Sequence, residues 1–250
     1  MDIIDFFDSD RIEQLAIHYA CKTTTRPDIT PAQRDKLKSL FLELNPSKYQ
    51  RFTDTPGVPG VFQAVSEHSI GPGNVTVPSF VMDNSSLSFL FPLKLGGMKL
   101  SGVNIRSFFS TEIGTLNRDI SSYMMKIHEV IGRGLVFQRA GKIFEVVLTP
   151  RNSDQKQPLF QNLIKYGLEK VSEVNLVITK LLEYGGTVYN LQARIGYGQN
   201  DLNQPFRLNI RVDINNRILM QDMEPSQMIS VWASAETLIS EHLSSIIQLD

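Results

Sequence analysis

Residues 207–215, with the sequence RLNIRVDIN, alternate polar and apolar side chains without interruption. A period of two places every second side chain on the same side of an extended chain, so this stretch predicts a β-strand with one buried and one solvent-exposed face. Burying each aliphatic side chain contributes on the order of 1.5–3 kcal/mol, and a slip of one residue would place arginines in the core. The pattern therefore fixes the register of the strand. Its apolar row comprises Leu208, Ile210, Val212 and Ile214.

The polar row of this strand is the candidate binding site. The preceding predicted strand, 187–197, alternates in the same way and carries an arginine on its polar side. If the two strands are hairpin neighbours, their arginines share one open surface, and guanidinium groups suit carboxylate or phosphate partners. The alternative is a solvated sheet face whose charges pair across strands, which an aspartate two residues from an arginine favours. The candidate binding residues are Arg194, Arg207, Asn209, Arg211 and Asp213.

The composition is typical of a globular chain, because 42% of the 250 residues are hydrophobic and 20% are charged. This length allows one large domain or two coupled halves. The 25 basic and 26 acidic residues nearly cancel, so no overall field attracts nucleic acid, and binding to nucleic acid is disfavoured. No segment has the length of apolar sequence that a membrane span needs. The single cysteine and the lack of a secretory signal pattern predict a cytoplasmic protein.

Residues 1–52 are predicted to form an N-terminal helical segment. Its first helix is expected to begin near Asp10, with Glu13 completing a capping box. The apolar side of this helix would contain Ile12, Leu15, Ala16 and Tyr19. A second helix is predicted to begin with Thr30 as cap, Pro31 at the first helical position and Gln33 closing the box.

Residues 53–74 are rich in glycine and proline and predict a loop or linker, followed by a sheet domain over 75–250. Strands are predicted at 75–82, 87–95, 99–109, 135–138, 142–149, 174–182, 187–197 and 207–215, and helices at 115–131, 158–171 and from Pro225 onward. Turns are expected at Ala140-Gly141 and Gly185-Gly186. This order predicts an α+β fold, a mainly antiparallel twisted sheet with helices on one face. Two βββα units of similar order suggest two similar halves.

His18 and Cys21 are the one pair that suggests nucleophilic chemistry. Three residues apart on the first predicted helix, they would share a face, and an imidazole beside a thiol is the arrangement of a cysteine hydrolase. A buried, inert Cys21 is favoured, because catalytic cysteines normally meet a histidine from elsewhere in the fold. The other histidines lack metal-binding spacing and no phosphate-binding loop is present, so we predict neither a metal nor a cofactor.

These observations favour a non-enzymatic interaction protein that binds another macromolecule, in the first place a protein, through the outer sheet face or the N-terminal helices. The sequence leaves open whether the chain forms a homo-oligomer. The second hypothesis is a small-molecule binder with a cavity between a curved sheet and the C-terminal helix, for which close core packing is the alternative. The residues expected to line that cavity include Phe89, Phe91, Tyr189, Tyr197 and Trp232. A hydrolase using Cys21 is the third.

Overall fold

The computed structural model describes residues 12–23, 29–44, 51–53, 61–65, 75–76, 79–83, 85–94, 114–132, 134–148, 173–198, 207–217 and 222–246. Within these ranges the chain has an α+β fold, in which ten antiparallel strands form one sheet that carries three helices. No helix in this part of the chain combines the length and the hydropathy that crossing a bilayer requires.

The strands and helices have the following bounds. The strands are β1 Ile12–Thr23, β2 Arg51–Thr53, β3 Phe62–Val65, β4 Val75–Thr76, β5 Ser79–Met82, β6 Ser86–Lys94, β7 Phe137–Leu148, β8 Glu173–Tyr184, β9 Thr187–Gly198 and β10 Arg207–Asn216. The helices are α1 Pro31–Leu44, α2 Gly114–Ile131 and α3 Pro225–Ile246. In space the strands follow the order β2-β3-β5-β6-β1-β7-β10-β9-β8, and β4 pairs with β6.

The sheet is built from two halves of similar topology. β1 and β7 pair antiparallel at its centre. β6, β5 and β3 continue the sheet beyond β1, and β10, β9 and β8 continue it beyond β7. In each half the strand beside the central one is the last of a meander, and a helix is the next described element, α2 after β6 and α3 after β10. The predicted α+β class and antiparallel sheet are confirmed.

The predicted first helix is wrong, because Ile12–Thr23 is the strand β1 at the centre of the sheet. Its apolar residues also fit a period of two, and the buried ones alternate along the strand: Ile17, Tyr19 and Cys21. β1 has a partner strand on each side, β6 and β7, so its inner row is buried by long-range pairing. That tertiary pairing outweighs the local capping signal.

The predicted division at residues 53–74 does not follow the strand pairing. β3 lies inside that range and pairs with β5. β1, from the expected helical segment 1–52, pairs with β6 and β7 from the range 75–250. Segments from all three predicted regions therefore belong to one sheet, and the glycine- and proline-rich stretch includes a strand of it.

The second predicted helix and its capping box are confirmed in α1. The backbone N–H of Gln33 donates to Thr30 Oγ1 over 3.3 Å, and the backbone N–H of Thr30 donates to Gln33 Oε1 over 2.9 Å. The predicted helices at 115–131 and from Pro225 are also confirmed, as α2 and α3.

The predicted hairpin at Gly185-Gly186 is confirmed, whereas the one at Ala140-Gly141 is wrong. Gly185 and Gly186 have φ of 57° and 73° between β8 and β9, a conformation that favours glycine. Gly141, in contrast, lies in the middle of β7, which continues from Phe137 to Leu148 as one strand. The strand predicted at 99–109 and the helix predicted at 158–171 lie outside the described residues.

The helices pack on one face of the sheet, which we call the inner face. Phe41 of α1 packs on Phe80 of β5, with ring centroids 5.0 Å apart, and Phe80 packs on Phe89 of β6 at 4.8 Å. Tyr123 of α2 stacks on Phe89 at 6.4 Å, and Trp232 of α3 meets Tyr19 of β1 edge-on at 5.5 Å. Buried aromatic side chains of this kind contribute a large share of core stability. The opposite, outer face has none of these helices packed on it.

Candidate functional site

The polar row of the stretch RLNIRVDIN projects from the outer face, as predicted. Ile210, Val212 and Ile214 are fully buried on the inner face of β10. On the alternate positions Asn209 is exposed, and Arg211 and Asp213 are half-buried. The register deduced from side-chain parity in β10 is therefore confirmed.

Arg194 and Arg211 lie directly opposite each other on β9 and β10. Arg211 is also opposite Glu145 of β7, and Arg211 Nη1 is 3.6 Å from Glu145 Oε2. The side-chain amide of Asn209 donates to the other carboxylate oxygen, Glu145 Oε1, over 3.4 Å. Arg194 is exposed, and its Nε donates to Gln192 Oε1 over 2.9 Å. Glu145 thus neutralises one member of a facing arginine pair.

Asp213 was expected to pair with the arginines of this face, but its hydrogen bond is to an asparagine of the same strand. Its Oδ1 accepts a hydrogen bond from Asn215 Nδ2 over 2.7 Å, and Asn215 Oδ1 accepts from Arg139 Nε over 2.9 Å. Asp213 is therefore hydrogen-bonded to Asn215 of its own strand while it remains in the outer row of β10. Arg207, the remaining predicted residue, is the first residue of β10 and lies opposite Gly198 of β9. The structure describes the backbone of Arg207 but not its side chain.

His18 also belongs to this surface, although the sequence predicted that it would lie beside Cys21 on a helix. It is opposite Ile143 of β7, which in turn is opposite Asp213 of β10. Burial lowers the pKa of His18, the nearby Arg211 lowers it further, and Glu145 and Asp213 oppose these effects. The imidazole is therefore held toward its neutral form. We call these residues the outer-face cluster: His18, Glu145, Gln192, Arg194, Asn209, Arg211 and Asp213.

The predicted meeting of His18 with Cys21 is wrong, because three residues along a strand place the two side chains on opposite faces. Cys21 is buried on the inner face, and its Sγ donates to the carbonyl oxygen of Leu87 over 3.5 Å. Burial raises the pKa of the thiol, which disfavours the nucleophilic thiolate. The hypothesis of a hydrolase using Cys21 loses its geometric basis.

We expect Cys21 to react with a disulfide reagent such as Ellman's reagent at least about 100-fold more slowly in the native protein than in the denatured chain. The cause is the combination of a buried sulfur and a suppressed thiolate. The measurement compares labelling rates with and without denaturant, using a free thiol to confirm that the reagent remains active in both conditions. Stoichiometric labelling of the native chain at the denatured rate would contradict the buried position.

The aromatic residues that were expected to line a ligand cavity are part of the packed core where the structure describes them. Phe89, Tyr189 and Trp232 are each at most 3% exposed. The indole N–H of Trp232 donates to the carbonyl oxygen of Ala20 over 3.3 Å, so its polar edge is satisfied by the sheet itself. Phe91 lies opposite Ile17 in the register, whereas the side chains of Phe91 and Tyr197 lie outside the description.

A second polar group, which the sequence did not predict, lies on the inner face at the centre of the sheet. Lys142 of β7 is 2% exposed and lies opposite Tyr19 of β1. Its Nζ donates to Asn117 Oδ1 of α2 over 2.7 Å and contacts Glu236 Oε2 of α3 at 2.6 Å. Nζ also lies 4.5 Å from the centroid of the Tyr19 ring. We call Tyr19, Asn117, Lys142 and Glu236 the seam cluster.

The seam cluster is an internally bonded network. The hydroxyl of Tyr19 donates to Asn117 Oδ1, and the side-chain amide of Asn117 donates to Glu236. Burial lowers the pKa of Lys142 to about 8, although the neighbouring Glu236 carboxylate acts in the opposite direction. Burial, with a contribution from Glu236, raises the pKa of Tyr19. Because the network joins β1, β7, α2 and α3, it links the two halves of the fold.

Side-chain parity held a signal for the seam cluster. Ala140, Lys142 and Phe144 are buried at alternate positions of β7, so one unbroken strand would have predicted a buried lysine. The predicted turn at Ala140-Gly141 concealed it. Within the described ranges, no three histidine, cysteine, aspartate or glutamate side chains are grouped so as to hold a metal ion.

Comparison with known proteins does not place the chain in a family. No family model matches it. No curated protein matches it. Among solved structures it is similar to the di-domain ARO/CYC StfQ from the steffimycin biosynthetic pathway, with 11% sequence identity over 91% of this chain and 93% of that one. The TM-score of 0.17 is too low for that likeness to support a shared fold or function.

Proposed function

We propose that this chain is a non-enzymatic, cytoplasmic interaction protein that binds a partner protein on the outer face of its sheet. One observation carries the proposal: α1, α2 and α3 all pack on the inner face, and the opposite face carries the outer-face cluster. An antiparallel sheet commonly buries one face only, so a face on which none of the described helices packs needs no ligand to be stable. The composition of this particular face is what suggests a partner.

The size of the outer face suits a protein partner. Five neighbouring strands, β1, β7, β10, β9 and β8, form this part of the sheet. They are spaced about 4.8 Å apart and ten residues extend about 33 Å, which gives a projected area of roughly 20 Å by 33 Å. The relief of the side chains increases this area. It is comparable with the roughly 800 Å² that each partner contributes to an interface of standard size.

The position of Arg194 within the outer-face cluster suggests an acidic side chain on the partner, because the residues opposite it are Arg211 and Val177 and neither carries a carboxylate. Like charges that are directly opposite on neighbouring strands are destabilising by up to about 1 kcal/mol, and Glu145 offsets only one of the two guanidinium groups. A carboxylate from a partner would complete the neutralisation beside Arg194. Glu145 and Asp213 would repel the continuous phosphate backbone of a nucleic acid. A single Asp or Glu side chain on a protein surface can instead bind beside Arg194 without lying next to these two carboxylates.

Charge reversal at the exposed arginine tests the proposal. A photoreactive residue at Gln192, on the outer face, first identifies the partner in cells, with the exposed Ser122 of α2 as the control position. With purified partner, we expect Arg194→Glu to raise Kd by at least about tenfold, which is about 1.4 kcal/mol. Lys36→Glu, at an exposed position of α1, makes the same change in net charge and should leave Kd unchanged.

The melting temperature separates binding from folding in this experiment. Arg194 is exposed and lies opposite Arg211, so its reversal removes a like-charge pair and should not lower the free energy of unfolding. Equal Kd values for Arg194→Glu and the parent protein, or equal weakening by Lys36→Glu, would contradict binding at the outer-face cluster.

A further inference from the structure

The two ends of the sheet differ greatly in length. At one end is β2, with three residues, and at the other is β8, with twelve. In the described part of the chain, β8 pairs with β9 alone. A free strand edge presents a row of backbone N–H and C=O groups that another strand can use, and proteins commonly keep such edges short. β2 meets that expectation and β8 does not.

β8 also exposes aliphatic side chains beside the edge on which no described strand pairs. Val177 is 56% exposed and Leu181 is 61% exposed, and both project from the outer face, since they pair with Arg194 and Asn190 of β9. Lys180 is the only charged residue between the glutamates near the two ends of the strand, Glu173 and Glu183. A long edge with exposed branched residues and one central charge is a template for strand addition.

The side-chain order of β8 matches a second copy of itself in one antiparallel register. Directly opposite residues share a face, so the two-fold axis must pass through a residue. With the axis at Thr179, Val177 faces Leu181 of the second copy, and Leu181 faces its Val177. On the inner side Leu176 then faces Leu182 and Ile178 faces Lys180, whose aliphatic stem can pack on the isoleucine while its amine reaches solvent. Asn175 faces Glu183 on the outer side.

The neighbouring registers are poorer. An axis at Ile178 places Glu173 opposite Glu183, which are like charges, and Leu181 opposite Asn175. An axis at Lys180 places that lysine opposite its own copy. Both arrangements set like charges in direct opposition, which disfavours them. The axis at Thr179 places no two like charges of β8 opposite each other.

We propose that two copies of this chain form a two-fold dimer by antiparallel pairing of β8 with β8, with the axis at Thr179. The dimer joins the two sheets into one. A two-fold interface uses the same surface on both chains and closes on itself. Within the described residues the opposite end of the sheet is the three-residue β2, which is too short to support continued edge-to-edge growth.

The mass in solution is the first test. Sedimentation velocity of the full chain should give twice the chain mass of 28.2 kDa at micromolar concentration. Val177→Lys should weaken dimerisation by about tenfold or more, because it places an amine against Leu181 of the partner. Val177→Lys combined with Leu181→Glu should restore the dimer, since each introduced amine then faces an introduced carboxylate. Both positions are exposed in the single chain, so folding should be retained.

Cysteine cross-linking tests the register. Residues opposite each other on antiparallel strands have Cα atoms about 4.5–5.5 Å apart, which is within the range that a disulfide bridges. Thr179→Cys should therefore give a cross-linked dimer on oxidation. Val177→Cys is the matched control, because its own copy would be displaced by four residues, or about 13 Å along the strand. The native Cys21 is buried and should not compete.

Three results would overturn this dimer: a single-chain mass over the whole concentration range, dimerisation unaffected by Val177→Lys, or cross-linking at Val177→Cys equal to that at Thr179→Cys. The dimer does not depend on the proposed function. Arg194→Glu leaves the β8 pairing surface unchanged apart from one neighbour of Val177, so it should weaken partner binding and retain the dimer mass.

Discussion

Glu236→Ala is expected to lower the free energy of unfolding by about 3 kcal/mol, whereas Lys142→Met is expected to change it by less than about 1 kcal/mol. The two substitutions break the same ion pair from opposite sides. Removing Glu236 leaves the Lys142 ammonium 2% exposed without its counter-charge. Removing Lys142 leaves a carboxylate that is 30% exposed and can turn toward water.

The methionine variant should fold well for a further reason. Methionine fills a volume close to that of the lysine side chain and carries no charge into the core, so the desolvation cost of the ammonium disappears. Tyr19, Asn117 and Glu236 retain their bonds to one another. For a chain of this size, about 3 kcal/mol corresponds to a fall in Tm of roughly 6–12 °C. Thermal unfolding with equal losses in both variants would contradict this account.

The pH dependence of the same pair provides a second measurement. Folding lowers the pKa of Lys142 from 10.5 to about 8, so the folded state opposes protonation. Below about pH 8 the lysine is charged in both states and the full cost applies, and the cost is relieved as pH rises toward 10.5. The stability of the parent relative to Lys142→Met should therefore increase by about 2 kcal/mol between about pH 7 and 9.5.

Comparison with Lys142→Met is necessary because other groups titrate in the same range. The raised pKa values of Cys21 and Tyr19 lower stability as pH rises, since the unfolded chain loses those protons first. Both groups are present in the parent and in Lys142→Met, so their effects largely cancel in the difference. A difference that stays flat over this range would contradict the lowered pKa of Lys142.

Gly141→Ala is expected to lower the free energy of unfolding by about 3 kcal/mol, at the upper end of the range for overpacking. An added Cβ would lie 2.5 Å from the carbonyl oxygen of Ile214 and 2.6 Å from Cβ of Asn215. β7 is paired on both sides, with β1 and β10, so its backbone cannot move away from one partner without disturbing the other. The expected Tm is roughly 6–12 °C lower.

Gly196→Ala is the matched control for this substitution. Gly196 is also inside a strand, β9, but the nearest atom to its added Cβ would be Asn175 Oδ1 at 3.0 Å. That atom is the end of a side chain that can rotate away, so we expect a loss below about 1 kcal/mol. Equal thermal unfolding of Gly141→Ala and Gly196→Ala would show that the close approach of β7 and β10 is not the cause.

Sequence patterns predicted those parts of the fold whose evidence is local. Side-chain alternation placed Ile210 and Val212 inside and Arg211 outside, and the capping signal at Thr30 located α1. The Gly185-Gly186 turn could be predicted from the sequence because the positive φ angles of such a turn favour glycine. In each case the deciding interaction lies within a few residues of the chain, or follows from the parity of a single strand.

Tertiary structure decided the features that depend on which strands meet. Ile12–Thr23 satisfies both a helical and a strand pattern, and only its two partner strands select the strand. That choice separated His18 from Cys21 and moved His18 into the field of Arg211. Lys142 and Glu236 are 94 residues apart, and their contact arises from the packing of α3 on β7. Burial and long-range pairing therefore determined both polar clusters, because the charge of a residue says nothing about which distant group will neutralise it.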